Sequence, residues 1–102
     1  MKGLGTKGYS IDELYDWVSH FHDIEFAYNG TVYMLQLERQ DGVDYLAIRD
    51  DSPGRGRCKA KHATDRDGDI SRYVFDTVLS EPSFGGKSFF EIEQDVTVTA
   101  II

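Results

Sequence analysis

Two runs of alternating apolar and polar residues flank Asn29-Gly30, from Asp23 to Leu37. A two-residue turn of the primed type needs positive φ at both central positions, which Asn tolerates and Gly adopts freely. The pattern predicts a hairpin. Its first strand is Ile24 to Tyr28, with Ile24, Phe26 and Tyr28 on one face, and its second is Thr31 to Leu37, with Tyr33, Leu35 and Leu37 on one face. Gln40-Asp41-Gly42 is a second turn signal leading to a strand at Val43 to Ile48, which completes a three-stranded meander. Ahead of it, Ile11, Leu14, Tyr15, Val18 and Phe21 recur at helical spacing and predict a helix from Ile11 to Phe21. Ser10 and Glu13 supply a capping box at its start, and Tyr9 and Leu14 occupy the positions of a hydrophobic staple.

Beyond Ile48 the pattern changes. Apolar residues nearly vanish between Asp50 and Asp69, and Ser52-Pro53-Gly54 marks a break. The segment reads as a long loop or as an exposed hairpin arm turning at Asp65 to Gly68, with Ile70 to Phe75 as its second strand. A structureless loop of that length is uncommon in a compact domain, which favours the arm. Asp76 to Ser80 reads as one helical turn stopped before Pro82, with Asp76 as its cap. Ser88 and Glu91 form a second capping box, opening a short helix to Gln94 with Phe89, Phe90 and Ile92 as packing residues. Val96 to Ile102 alternates Val and Thr and reads as a final strand at a sheet edge. The fold class is α+β, an antiparallel sheet packed by an N-terminal helix and a short C-terminal helix.

Residues 1–102 make a single domain, long enough for one hydrophobic core, with Met1 to Gly8 (three glycines and two lysines) as a flexible leader. That leader lacks the apolar core of a signal peptide, and no apolar run approaches the length of a membrane span. One cysteine excludes an internal disulfide framework and fits a reducing compartment, so the expected location is the cytoplasm. The net charge of −7 and pI near 4.7 disfavour general nucleic-acid binding and suit solubility or a basic protein partner.

The helix carrying Ser10, Glu13 and Trp17, the stretch His22 to Tyr33, and the tail Phe84-Gly-Gly-Lys-Ser-Phe-Phe-Glu-Ile92 together resemble a group of small bacterial α+β proteins of the Firmicutes type. The resemblance covers most of the chain apart from Asp50 to Asp69. It implies a cytosolic protein and carries over no catalytic residue.

Candidate chemistry is sparse. Arg55, Arg57, Lys59 and Lys61 stand at every second position, which in an extended strand puts all four cations on one face. They could contact anions or an acidic partner surface; the plainer reading is a charged edge that discourages strand-to-strand aggregation. Asp65, Asp67, Asp69 and Asp76 match positions 1, 3, 5 and 12 of a calcium loop, but position 6 is Ile70, which resists the positive φ required there. A D-x-D-G reverse turn explains the same residues. Cys58 and His62, even with His20 and His22, lack the paired cysteines of a structural zinc site, and no cofactor is implied. Gly85-Gly86-Lys87-Ser88 resembles the end of a P-loop, yet the Gly required at position 81 is Glu81.

Seven amphipathic aromatics remain: Tyr9, Tyr15, Trp17, Tyr28, Tyr33, Tyr45 and Tyr73. Trp17 falls off the apolar stripe of its helix, and such residues favour protein interfaces. The leading expectation is therefore a small non-catalytic module that binds another protein through Trp17 and the basic segment. The second is a small-ligand or calcium-binding protein centred on Asp65 to Asp76.

Overall fold

A computed structural model describes residues 9–51, 56–65 and 69–102. The expected leader, Ser52-Pro53-Gly54, Arg55, Arg66, Asp67 and Gly68 lie outside the described residues. The chain runs α1 (Ile11–Ser19), β1 (Ile24–Tyr28), β2 (Thr31–Gln40), β3 (Val43–Asp50), β4 (Cys58–Ala63), α2 (Arg72–Ser80), α3 (Phe89–Ile92) with a 3₁₀ turn at Glu93–Asp95, and β5 (Thr97–Ile101). The strands form one antiparallel sheet in the order β4-β3-β2-β1-β5. This is the α+β architecture that the pattern implies.

Both hairpin turns adopt the conformation their residues favour. Asn29 and Gly30 have φ of 51° and 81°, and Asp41 and Gly42 have 53° and 78°, so both loops are two-residue primed turns. Their register sets Ile24 opposite Leu35, Leu35 opposite Ile48, and Ile48 opposite Ala60, a buried row across four strands. Because side chains alternate across a strand, Ala47, Arg49, Tyr45, Gln36 and Glu38 are turned to the opposite face. Helical cover lies on the first face, where Leu14 and Val18 of α1, Val74, Phe75, Val78 and Leu79 of α2, and Phe89 and Ile92 of α3 join the strand residues in one core.

Two segments differ from the sequence expectation. Residues 58–63 do not extend away as an arm; they pair with β3 as an edge strand. The connection closes because the Asp50 N–H reaches the Arg57 carbonyl (3.0 Å) and the Arg57 N–H reaches Asp50 Oδ1 (2.8 Å). Gly56 is required there: its φ is +76° and a Cβ would stand 2.2 Å from the Asp50 carbonyl oxygen. The expected second strand, Ile70 to Phe75, is instead the lead-in and first half of α2. Ser71 rather than Asp76 is the N-cap, its hydroxyl accepting from the Val74 N–H at 3.2 Å. Ile70 and Phe75 fall at the two positions of a hydrophobic staple, and both are buried. The β-branched and aromatic character of this run suggests a strand locally; burial of the stripe Val74, Phe75, Val78 and Leu79 overrides that preference.

The C-terminal expectations hold with two adjustments. Ser88 and Glu91 make their reciprocal capping box, but Phe90 faces outward and is 37% exposed, leaving Phe89 and Ile92 as the packing residues. β5 lies at the edge beside β1, and an irregularity in their register falls between Glu25 and Phe26.

Candidate functional site

α1 positions the most distinctive surface. Its start is fixed by the reciprocal bonds of the capping box, Ser10 N to Glu13 Oε1 at 3.0 Å and Glu13 N to Ser10 Oγ at 3.1 Å. Leu14 and Val18 are then turned into the core, which leaves Asp12, Glu13 and Asp16 outside, with the half-buried Trp17 at the boundary. These four residues line a surface cleft of about 420 Å³. A second cleft of about 380 Å³ adjoins it through Asp12 and is lined also by Tyr9, Ile11 and Glu93. Arg72 bridges Asp12 (2.8 Å) and Asp76 (2.9 Å), tying the acidic rim of α1 to α2. Across the same seam the Tyr15 hydroxyl donates to the Ile70 carbonyl at 3.0 Å.

The end of α1 is as well defined as its start. The His22 N–H reaches the Trp17 carbonyl (3.1 Å) and the Phe21 N–H the Val18 carbonyl (3.0 Å), the paired bonds of a Schellman motif. His22 packs edge-on against the Trp17 indole, with ring centres 5.1 Å apart. Phe21 takes the left-handed position with φ of 66°, and its side chain is 62% exposed. The predicted helix therefore stops short of Phe21, which is not part of the buried stripe.

The expected basic face does not form as one surface. The register of β3 and β4 shifts between Ile48 and Arg49, so Lys59 is an extra residue in β4, and a bulge re-aims the side chains around it. Lys59 reaches Asp50 (3.6 Å), which alternates with Ile48 on the helix-covered side. Lys61 instead lies 4.8 Å over the Tyr45 ring and 3.1 Å from Gln40 Oε1, on the open side. Arg57 is exposed in the connection before β4. Arg55 lies outside the described residues.

Two aspartates of the expected calcium loop, Asp65 and Asp76, have their carboxylates engaged within the fold. Asp65 Oδ2 accepts from the Ser71 N–H (3.1 Å), while its own N–H donates to the Asp69 carbonyl (2.9 Å). Asp76 pairs with Arg72. Among the described residues no three His, Cys, Asp or Glu side chains gather as a metal ligand set; Asp67 is not among them.

Two features carry no clear signal in the sequence. On the open face Arg49 donates to both Glu38 carboxylate oxygens, and Gln36 and Gln40 donate to the same carboxylate. Hydrogen bonding to Arg49 is the main reason the Glu38 carboxyl is held below the usual range. Arg49 stands opposite Met34, and Glu38 opposite Tyr45, so the two side chains must span the position of fully buried Ala47 to meet. At the hairpin end, Tyr28, Thr31, Tyr33, Phe84 and Lys87 line a recess of about 250 Å³. Burial pushes the Tyr33 phenol up. Only pairing register could have revealed the first, and only the packing of Phe84 against Tyr28 and Tyr33 the second.

Comparisons with family models, with curated proteins and with solved structures return no match for this chain. Among the described residues no helix is long and apolar enough to cross a membrane.

Proposed function

We propose that this chain is a non-catalytic, cytoplasmic interaction module that binds a basic segment of another protein at the Trp17 cleft. The observation that carries the reading is the seating of a half-buried indole among Asp12, Glu13 and Asp16 in one concavity. An indole contributes large contact area with few rotamers to freeze, and its face attracts cations. The surrounding carboxylates and the net charge of −7 favour a cationic partner and speed its approach. The exposed, unbridged Cys58 supports a reducing compartment. Lys59 and Lys61 act within the fold in this reading: they partner Asp50 and Gln40 and guard the β4 edge.

Trp17 is the chain's single tryptophan, so its emission reports on the cleft directly. Titration with a synthetic amphipathic peptide of lysine and leucine is expected to shift that emission. Asp16→Asn should weaken binding by about threefold, the scale of one solvent-exposed charge pair. Unchanged emission, with no binding at millimolar peptide, would remove the proposal.

A further inference from the structure

We infer that Phe21 is the apolar anchor of this docking surface, covered by the hydrophobic side of a basic amphipathic segment whose cations face the carboxylates of α1. The inference rests on the Trp17 reading and adds the residue that gives it an apolar contact. Phe21 serves neither the backbone nor the core. Its φ of 66° belongs to the left-handed region, where a Cβ is unfavourable and Gly or Asn is the usual occupant of this helix-ending position. The motif's bonds are made by backbone groups, and the hydrophobic contact that accompanies it is made by Trp17 and His22. The Phe21 ring, 62% exposed, lies outside the buried core. A bulky aromatic in a glycine position, turned to solvent, has the features of an interface anchor.

The neighbourhood states the chemistry of what covers it. Phe21 follows directly from the turn that carries Asp16 and Trp17. Two backbone bonds tie Asp23 to Ile102 (3.2 and 2.9 Å), bringing a second exposed apolar residue to this end of the sheet. A partner that covers this end presents apolar groups to Phe21 and cations to the acidic rim of α1, where Asp12 is already bridged by Arg72 and Asp16 stands 3.7 Å from the His20 ring. A second copy of this chain would set like charges against one another, and is disfavoured as the occupant.

The test uses the lysine–leucine peptide with Phe21→Gly and Phe21→Asn, both compatible with positive φ. Each variant should unfold at or above the wild-type temperature and bind the peptide at least about tenfold more weakly, as expected for loss of an anchor. Wild-type binding with equal affinity in both variants overturns the role of Phe21 and leaves the Trp17 cleft standing. Absence of wild-type binding overturns the cleft reading and this inference with it. Variants that unfold below the wild type would show that Phe21 serves the fold, and would also overturn it. Sedimentation distinguishes the remaining occupant: a wild-type dimer that either variant abolishes would assign Phe21 to self-association and overturn the basic partner.

Discussion

Replacing Arg49 with Met should cost the protein about 2 kcal/mol at neutral pH, the scale of losing charge-assisted bonds to a half-buried carboxylate. Arg49 engages both oxygens of Glu38, Nη2 to Oε1 at 2.9 Å, and the two side chains are 20% and 13% exposed. An open surface pair would contribute less than about 1 kcal/mol. This pair lies flat over the sheet with less solvent screening, and its loss leaves the Glu38 carboxylate to the amide groups of Gln36 and Gln40. Glu38→Gln alone should cost a similar amount, because the guanidinium then loses its counter-charge. The double variant should cost less than the sum by about 1–2 kcal/mol, the coupling energy of groups in contact. Urea unfolding followed by Trp17 emission measures all three under a two-state treatment. The pH dependence follows from the direction of the Glu38 shift. Its folded carboxyl titrates below the unfolded one, so its contribution is present above the unfolded value and is lost as pH falls through the folded value. The gap between wild type and Glu38→Gln should therefore shrink in acid. A coupling energy under about 0.3 kcal/mol, within ordinary additivity, would refute the argument and reduce the pair to surface decoration.

Phe75 is fully buried and meets the Tyr15 ring at 5.2 Å, so Phe75→Ala should cost about 3–5 kcal/mol by urea unfolding; a loss below about 1 kcal/mol would show that α2 does not clamp the sheet. Millimolar calcium should leave the thermal midpoint unchanged, because Asp65 and Asp76 already bond Ser71 and Arg72. A stabilising shift abolished by Asp69→Ala would instead support a cation site in that segment.

The elements read correctly from the pattern are those whose signals are short-range. Asn29-Gly30 and Asp41-Gly42 determine their own turns, and the reciprocal boxes at Ser10 and Ser88 determine two helix starts. Each depends on residues within one turn of one another, so distant contacts bear on it least. The same logic explains the failure between Asp50 and Asp76. Ser71 lacks the Glu or Gln three residues on that completes a capping box, and Val74 stands there instead. Local preference then favoured a strand through Tyr73, Val74 and Phe75. The alternation of Arg57, Lys59 and Lys61 was real, but its single face assumed an unbroken ladder. The bulge opposite Ile48 and Arg49 divides Lys59 from Lys61, and a bulge leaves no reliable mark in a run of alternating charge.

Trp17 was legible as a candidate because its position off the apolar stripe is a property of helix geometry alone. Phe21 was not: at helical spacing from Val18 it reads as one more core residue. Two backbone bonds at the helix end remove it from the stripe and rotate it to solvent.

The amino-acid sequence by itself determined the hairpins, the starts of α1 and α3 and the acidic character, because these follow from adjacent residues or from composition. Tertiary structure decided the rest: that 58–63 joins the sheet, that Ile70 to Ser80 leads into and forms a helix, which face is covered, and that Glu38 meets Arg49 across Ala47. These outcomes depend on which apolar surfaces exclude water together, and that free energy belongs to pairs of segments far apart in the chain.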